Sequence, residues 1–275
     1  MRYDVHVPGP PLFDLVDDLW ALSDVPAHAR ERIVPSGTQE LVINLHEDGF
    51  AIFDGVEPRF KRYRGAIVSG AYRRSFLIDT SAHASVIGVH FRPGGAQPVL
   101  GAAPGELADQ HVDLEALWGR DAGVLRERLV AARDTHARFR ILETALAARL
   151  DRGTHRHPAV RVAVESLALG GCSVGDVAAH VRLSRRRLIE LFTAEVGMTP
   201  KLFSRVQRFQ RAFGTIEQQG ACHWAQIVLD CGYFDQSHMI RDFVAFAGAT
   251  PGEVARHLGP PLKGNHLAVA GDETI

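Results

Sequence analysis

The stretch from Val174 to Pro251 repeats itself, and that repetition constrains the fold more than any other feature of the chain. Val177-Ala178-Ala179-His180-Val181-Arg182-Leu183-Ser184, then Arg185 to Phe192, then Gly197-Met198-Thr199-Pro200, is answered by Ile227-Val228-Leu229-Asp230-Cys231-Gly232-Tyr233, Asp235 to Phe243, and Gly248-Ala249-Thr250-Pro251. The offset is 50 at Val177/Ile227 and 51 at Phe192/Phe243 and Pro200/Pro251, so the second turn carries one added residue. Each copy reads as a short helix, a tight turn and a second helix. Val177, Ala178 and Val181 make an apolar stripe too short to stand alone, so it must pack on a partner. Ser184 and Asp235 stand where helix N-caps belong, and Gly197 and Gly248 where helices stop. Leu188, Leu191 and Phe192, and in the second copy Met239, Ile240 and Phe243, form the buried faces. Arg185, Arg186 and Glu190, or Gln236, Ser237, His238 and Arg241, remain as a polar edge. That pattern predicts two helix-turn-helix units, whose second helices enter a DNA major groove.

Between the copies, Leu202, Phe203, Val206, Phe209, Phe213 and Ile216 recur at helical spacing, which predicts one amphipathic helix of about five turns. Such a rod holds two small modules at a fixed separation. From Ser184 to Arg211 there are seven basic residues against two acidic ones. A local excess of this size suits phosphates better than a core. The net charge of −1 hides the asymmetry: residues 153–258 hold 12 Lys+Arg against 9 Asp+Glu, leaving 19 against 23 elsewhere.

Two helix-turn-helices on one long helix, with Gly232-Tyr233-Phe234-Asp235-Gln236-Ser237-His238-Met239-Ile240-Arg241-Asp242-Phe243 and Gly248-Ala249-Thr250-Pro251 in the second, resemble the DNA-binding half of AraC/XylS-type bacterial transcription regulators. The resemblance spans roughly residues 155–258. It implies a sequence-specific regulator of double-stranded promoter or operator DNA. Arg186, Ile189 and Glu190 would face bases from the first recognition helix, and Gln236, Ser237, His238 and Arg241 from the second. Arg185, Arg187, Arg205 and Arg208 are expected to clamp phosphates without reading sequence. Two departures stand out: Arg182 occupies the usual place of the turn glycine, and Glu190 that of a basic or amide base reader. The resemblance also admits a homodimer, RNA polymerase and a small-molecule effector as partners. The chain lacks the N-terminal cysteines that self-methylating repair proteins with a similar DNA-binding half need, since its first is Cys172.

The N-terminal part reads as β. Leu15, Val16, Leu19 and Trp20 follow a helix-like spacing that a bulged strand would also give. Glu40 to His46, Glu47-Asp48-Gly49 and Phe50 to Phe53 predict a hairpin. Ala66 to Ser69, Arg73 to Thr80 and Ser85 to Arg92 add three strands, together suggesting a barrel or sandwich. Pro35 to Leu45, Phe91-Arg92-Pro93-Gly94-Gly95-Ala96 and Leu117-Trp118-Gly119 resemble the cupin-like sensor half of one subgroup of these regulators. Alternation puts Ile87, Val89 and Phe91 on one face and His90 and Arg92 on the other. Glu40, Asn44, His90 and Arg92 are therefore candidate effector-binding residues, the alternative being that they are solvated or form an internal network.

The expected fold is α+β: a β-barrel or cupin-like sensor domain (1–103), a helical connection with candidate dimerisation helices (104–152), the double helix-turn-helix domain (153–258) and a flexible tail (259–275). The helices at Val124–Ala132 and Thr135–Leu150 could equally cover the barrel's outer face. With 275 residues, 46% hydrophobic and 23% charged, there is room for two domains. No run of eighteen apolar residues and no basic-then-apolar leader occurs, so the expectation is a cytoplasmic protein with no membrane segment. The three cysteines lack CxxC spacing and read as small thiols. The only His-x-His, His155-Arg156-His157, lies outside the strands, so no metal or other cofactor is expected. A metal-dependent cupin enzyme fused to a DNA-binding half, and a protein-interaction adaptor, remain as other readings.

Overall fold

A computed structural model describes residues 2–24, 30–55, 60–81, 83–151, 153, 156–219, 223–257 and 265–268. The N-terminal half begins with strands β1 (Arg2–His6), β2 (Val16–Ser23), β3 (Arg30–Ile33), β4 (Glu40–Asn44), β5 (Phe50–Phe53), β6 (Lys61–Tyr63), β7 (Ala66–Ser69), β8 (Phe76–Asp79) and β9 (Ser85–Phe91). Helix α1 (Gln97–Leu100) and strand β10 (His111–Asp113) follow, then α2 (Leu114–Trp118), α3 (Arg120–Val130) and α4 (Thr135–Arg149). The C-terminal half holds α5 (Pro158–Leu169), α6 (Val174–His180), α7 (Arg185–Val196), α8 (Pro200–Gln219), α9 (Trp224–Asp230), α10 (Gln236–Ala247) and α11 (Pro251–His257). A final strand, β11 (His266–Ala268), comes after it.

The strands form two antiparallel sheets, ordered β1-β2-β9-β4-β7-β10 and β11-β3-β8-β5-β6. Both sheets have free ends among the described residues, so the architecture is an open sandwich and the barrel expectation is corrected. Leu15 to Trp20 is mostly the bulged strand, with the register slipping between Val16 and Asp18 against β9. The predicted 40–53 hairpin does not form. β4 pairs with β7 and β9 while β5 pairs with β6 and β8, so the 45–49 turn carries the chain from one sheet to the other. Asn44 fastens that turn: its Oδ1 accepts from the His46 and Glu47 amides at 2.9 and 3.0 Å, and its Nδ2 donates to the Gly49 carbonyl at 3.0 Å.

One face of the six-stranded sheet, with Leu41, Ile43, Val68, Ile87, Val89 and Phe91, packs under α2–α4. The stripe of α4 is spent here. Phe139, Leu142 and Leu146 are buried in this cluster, each contributing about 1.5–3 kcal/mol, so the covering role is the one these side chains perform. The other face meets the five-stranded sheet across Ile33, Phe50, Ile52, Ile67, Tyr72 and Phe76.

The helical C-terminal half is organised on α8, whose Phe203, Val206, Phe209, Phe213 and Ile216 are fully buried. Phe203 packs edge-on to Phe192 of α7 at 5.4 Å, and Phe209 to Phe243 of α10 at 4.9 Å, so one rod seats both modules. Ser184 Oγ accepts from the Arg187 amide and Asp235 Oδ1 from the His238 amide, while Gly197 and Gly248 end their helices in the left-handed region. At the turns, Gly232 has φ +77° and Arg182 has φ +55°. A non-glycine residue held there costs about 1–2 kcal/mol, so the first turn keeps the backbone of the second at a steric cost.

The tail expectation is corrected where the chain is described. β11 runs antiparallel to β3, with His266 opposite Ile33 and Ala268 opposite Glu31, and Leu267 is buried. The remaining residues of 258–275 lie outside the described residues.

Candidate functional site

Two places carry functional side chains. The first is the exposed side of the double helix-turn-helix. The caps at Ser184 and Asp235 start α7 and α10 so that Arg185, Arg186, Arg187, Ile189 and Glu190, and on the second helix Gln236, Ser237 and Arg241, face outward; His238 is half-buried. Glu190 is not idle, since it pairs with Arg186 at 2.9 Å and Arg187 at 3.6 Å within one turn. Between the modules lies a cleft lined by Arg185, Lys201, Arg205, Arg208, His238 and Arg241.

Arg205 and Arg208 are not the loose phosphate clamps that counting charges suggests. Both converge on Asp242, which is 2% exposed: Arg205 bonds Oδ1 at 2.7 Å and Arg208 bonds Oδ2 at 2.8 Å. Their guanidiniums also lie over the rings of Phe246 and Tyr233, and Arg208 reaches His238 Nε2 at 2.9 Å. This network ties α8 to α10 and fixes the angle of the second recognition helix. The sequence reading also passed over Phe234, which is 90% exposed in the turn before α10 and belongs to no buried stripe. An aromatic off the apolar periodicity, just ahead of a cap, was the available signal.

The second place is a cavity between the two sheets. Of the four effector candidates, Glu40 and His90 line it. Asn44 and Arg92 do not, and both are corrected. Asn44 sits at the strand end and caps the crossover turn, while Arg92 lies just past β9, donates to the Phe13 carbonyl at 3.0 Å and pairs with Asp17 at 3.5 Å. His90 is bracketed by carboxylates, with Nδ1 2.9 Å from Asp18 and Nε2 3.1 Å from Glu40, and the Trp20 indole donates to the same Glu40 oxygen at 3.0 Å. Gly88, opposite Trp20, makes this possible, because a Cβ there would stand 2.4 Å from the indole. At the other end, Glu31, which is 2% exposed, pairs with His266 of β11 at 2.7 Å, near the buried His83. Asp18, Trp20, Glu31, His83 and His266 escaped the sequence reading as a group, because only sheet pairing assembles them.

Three imidazoles of the sandwich, two of them in the cavity, differ sharply in charge preference. Burial holds His83 down to about 4 and His111 down to about 3. For His90, burial also pulls downward, but the Glu40 charge and the bonds to Asp18 and Glu40 outweigh it and push the group up to about 10. The signs oppose. Below the ordinary value of 6.5, the unfolded chain takes up protons that folded His83 and His111 refuse, so stability falls as pH drops toward 4. The His90 contribution is complete below 6.5 and drains away as pH rises toward 10. Urea midpoints at pH 5, 6.5 and 9 should therefore peak at the middle value, each group changing stability by at most about 1.4 kcal/mol per pH unit. A maximum at either extreme contradicts this assignment.

The halves are joined by specific contacts. Gln39 Nε2 donates to the Val196 carbonyl at the end of α7 at 3.0 Å, and Gln207 and Gln210 of α8 donate to the Ser36 and Pro35 carbonyls at 2.8 and 2.6 Å. The Ser75 amide bonds the Phe246 carbonyl of α10 at 3.1 Å, and Val34, Ala71 and Leu267 sit within the hydrophobic core of the DNA-binding half. Strand β3 and the residue after it border both the cavity and the helical core: Glu31 and Ile33 line the cavity, while Arg32 lies against Gly248 and Val34 enters the core.

A double helix-turn-helix seated on a rigid helix, with a basic cleft between its modules, defines a DNA-binding protein. By sequence, residues 177–257 match a family described as a helix-turn-helix domain, and residues 4–113 match a domain of unknown function, DUF6597. The matched domain is a helix-turn-helix of the kind AraC/XylS-type regulators carry, so the chain is a DNA-binding regulator. No match was found among curated proteins. Among solved structures, an apo single-substitution variant of ToxT from Vibrio cholerae shares 12% identity over 88% of this chain and 98% of that one, with a TM-score of 0.50. A second ToxT structure from Vibrio cholerae, the wild-type protein bound to an unsaturated fatty acid, shares 12% identity over 93% and 97%, with a TM-score of 0.48. At this identity the likeness of the first concerns the fold alone. No described helix is long and apolar enough to cross a membrane, and no three His, Cys, Asp or Glu among the described residues are grouped to hold a metal. His155 and Cys222 lie outside the described residues.

Proposed function

We propose that this regulator is a cytoplasmic protein that reads two adjacent major-groove segments of a promoter, and that occupancy of the intersheet cavity sets how its two modules are held. The observation that carries the reading is that one body of the sensor half grips the far ends of both recognition helices, at Val196 and Phe246, while its strand β3 lines the cavity. A ligand that shifts β3 therefore acts on both modules at once. Arg186, Ile189 and Glu190 on one helix and Gln236, Ser237, His238 and Arg241 on the other are the base-facing positions. Arg185, Arg187 and Lys201 supply phosphate contacts, with Phe234 packing on the sugar edge. Arg205 and Arg208 act as braces through Asp242. Glu190 must exchange Arg186 for a base edge when DNA binds, preferring a cytosine amino group. Homodimer formation and contact with RNA polymerase enter this reading from the family resemblance.

Selection from random duplexes with the full chain tests it. The enriched sequence should contain two half-sites about 10 bp apart, one helical turn. A single half-site would mean that one module reads alone, and no enrichment would make the protein an adaptor.

A further inference from the structure

The cavity's own chemistry specifies what can fill it. It leaves about 70 Å³ for the centres of water-sized bodies, several times the roughly 10–15 Å³ that one water needs. Its walls are largely apolar, with Val42, Phe50, Ile52, Ile67, Ile78 and Val86 among them. Among the described residues no lysine or arginine lines it, whereas Glu31 and Glu40 do, and Asp18 backs His90 from behind. A cluster of acids alone would say little. The independent observation is His83: it lines the same cavity, is 5% exposed, and its buried Nε2 has no hydrogen-bond partner among the described residues. Buried polar atoms are nearly always satisfied, so this one points to a missing partner in the cavity.

Resting on the reading of this cavity as the signal site, we propose that its ligand is a small organic cation: a protonated amine on an apolar body of about one ring. The body takes the aliphatic and aromatic walls, and the ammonium meets the carboxylate of Glu31 near His83, with Glu40 adding negative charge from the far end. His83 supplies a further polar contact through Nε2. A carboxylate ligand is disfavoured on the same grounds. It would bring a further negative charge into a cavity that already holds Glu31 and Glu40, with no arginine or lysine among the described residues to meet it, and an unpaired buried charge is the costliest group a site can hold. The imidazolium of His90 does not relieve this, because both its nitrogens already face carboxylates, Asp18 and Glu40.

Benzylamine, benzyl alcohol and benzoate share one ring and differ in head-group charge, so they form a matched probe series for the full chain. Calorimetric titration should give benzylamine an affinity at least tenfold above the other two, with a matching rise in Tm. Glu31→Gln should reduce that preference at least fivefold, and Val42→Trp, which fills the cavity, should abolish binding while a cooperative melt shows the fold intact. Glu40→Gln provides a second variant should Glu31→Gln unfold. Benzoate as the tightest probe, equal binding of all three, or no binding by any overturns the assignment. DNA affinity measured with and without probe separates the two readings. If benzoate or benzyl alcohol binds best and alters DNA affinity, the ligand class is wrong and the sensing role stands. If benzylamine binds best and DNA affinity does not move, the class stands and the sensing role falls.

Discussion

Asp242→Ala should destabilise the DNA-binding half by about 3–5 kcal/mol, the cost of leaving close-packed charge unpaired, and should disorder the second recognition helix with it. Two guanidiniums converge on that carboxylate, and the Arg208 side chain is only 18% exposed, so neither solvent nor a neighbouring acid replaces it readily. Arg205→Ala should cost much less, since its side chain is 41% exposed and Asp242 keeps Arg208. Urea midpoints for both variants decide the matter. If Arg205 and Arg208 were free phosphate clamps, Asp242→Ala would leave stability within about 1 kcal/mol and tighten DNA binding instead, by removing a competing negative charge.

The second large effect concerns how the exposed residues divide between reading and gripping. Arg241→Ala is expected to relax the preference at one base step by about 1–3 kcal/mol while changing affinity for random duplex little. Lys201→Ala is expected to weaken every duplex alike and to lower the slope of log affinity against log salt by about 0.9. Binding curves on an enriched site and on a scrambled one, each at several salt concentrations, separate the two. Equal losses on both duplexes for both variants would show that no such division exists.

Much of the DNA-binding half was legible in the sequence because its signals are local. Caps at Ser184 and Asp235, stops at Gly197 and Gly248, and a phenylalanine stripe at helical spacing each act within a few residues, and the structure realises all of them. Asp242 was legible in principle. It falls on the same helical stripe as Met239, Phe243 and Phe246, and a carboxylate at a core position facing two arginines one turn apart asks for an ion pair. Counting charges along the chain missed it, because counting does not assign partners.

The sensor half shows where local signals end. Alternation separates His90 from Val89 and Phe91, and in the fold His90 lines the cavity while Val89 and Phe91 pack under the helices. It could not say which sheet a strand joins. Glu47-Asp48-Gly49 suits a hairpin and a crossover between sheets equally well, and only the Asn44 bonds to the turn reveal which one forms. Strand β11 was beyond reach for the same reason. Three residues carry no period, and their partner, β3, lies more than two hundred positions earlier.

That last strand changes how the two halves are connected. The polypeptide leaves the sandwich after α4, builds the entire reading head, and then re-enters the sandwich to place His266 beside Glu31. The head is thus held by the body at both of its ends, covalently before α5 and non-covalently where β11 pairs with β3. After a single cut between Asp151 and Pro158 only non-covalent contacts, the β11–β3 pairing among them, would join the fragments, so they should stay together in native buffer and separate in denaturant.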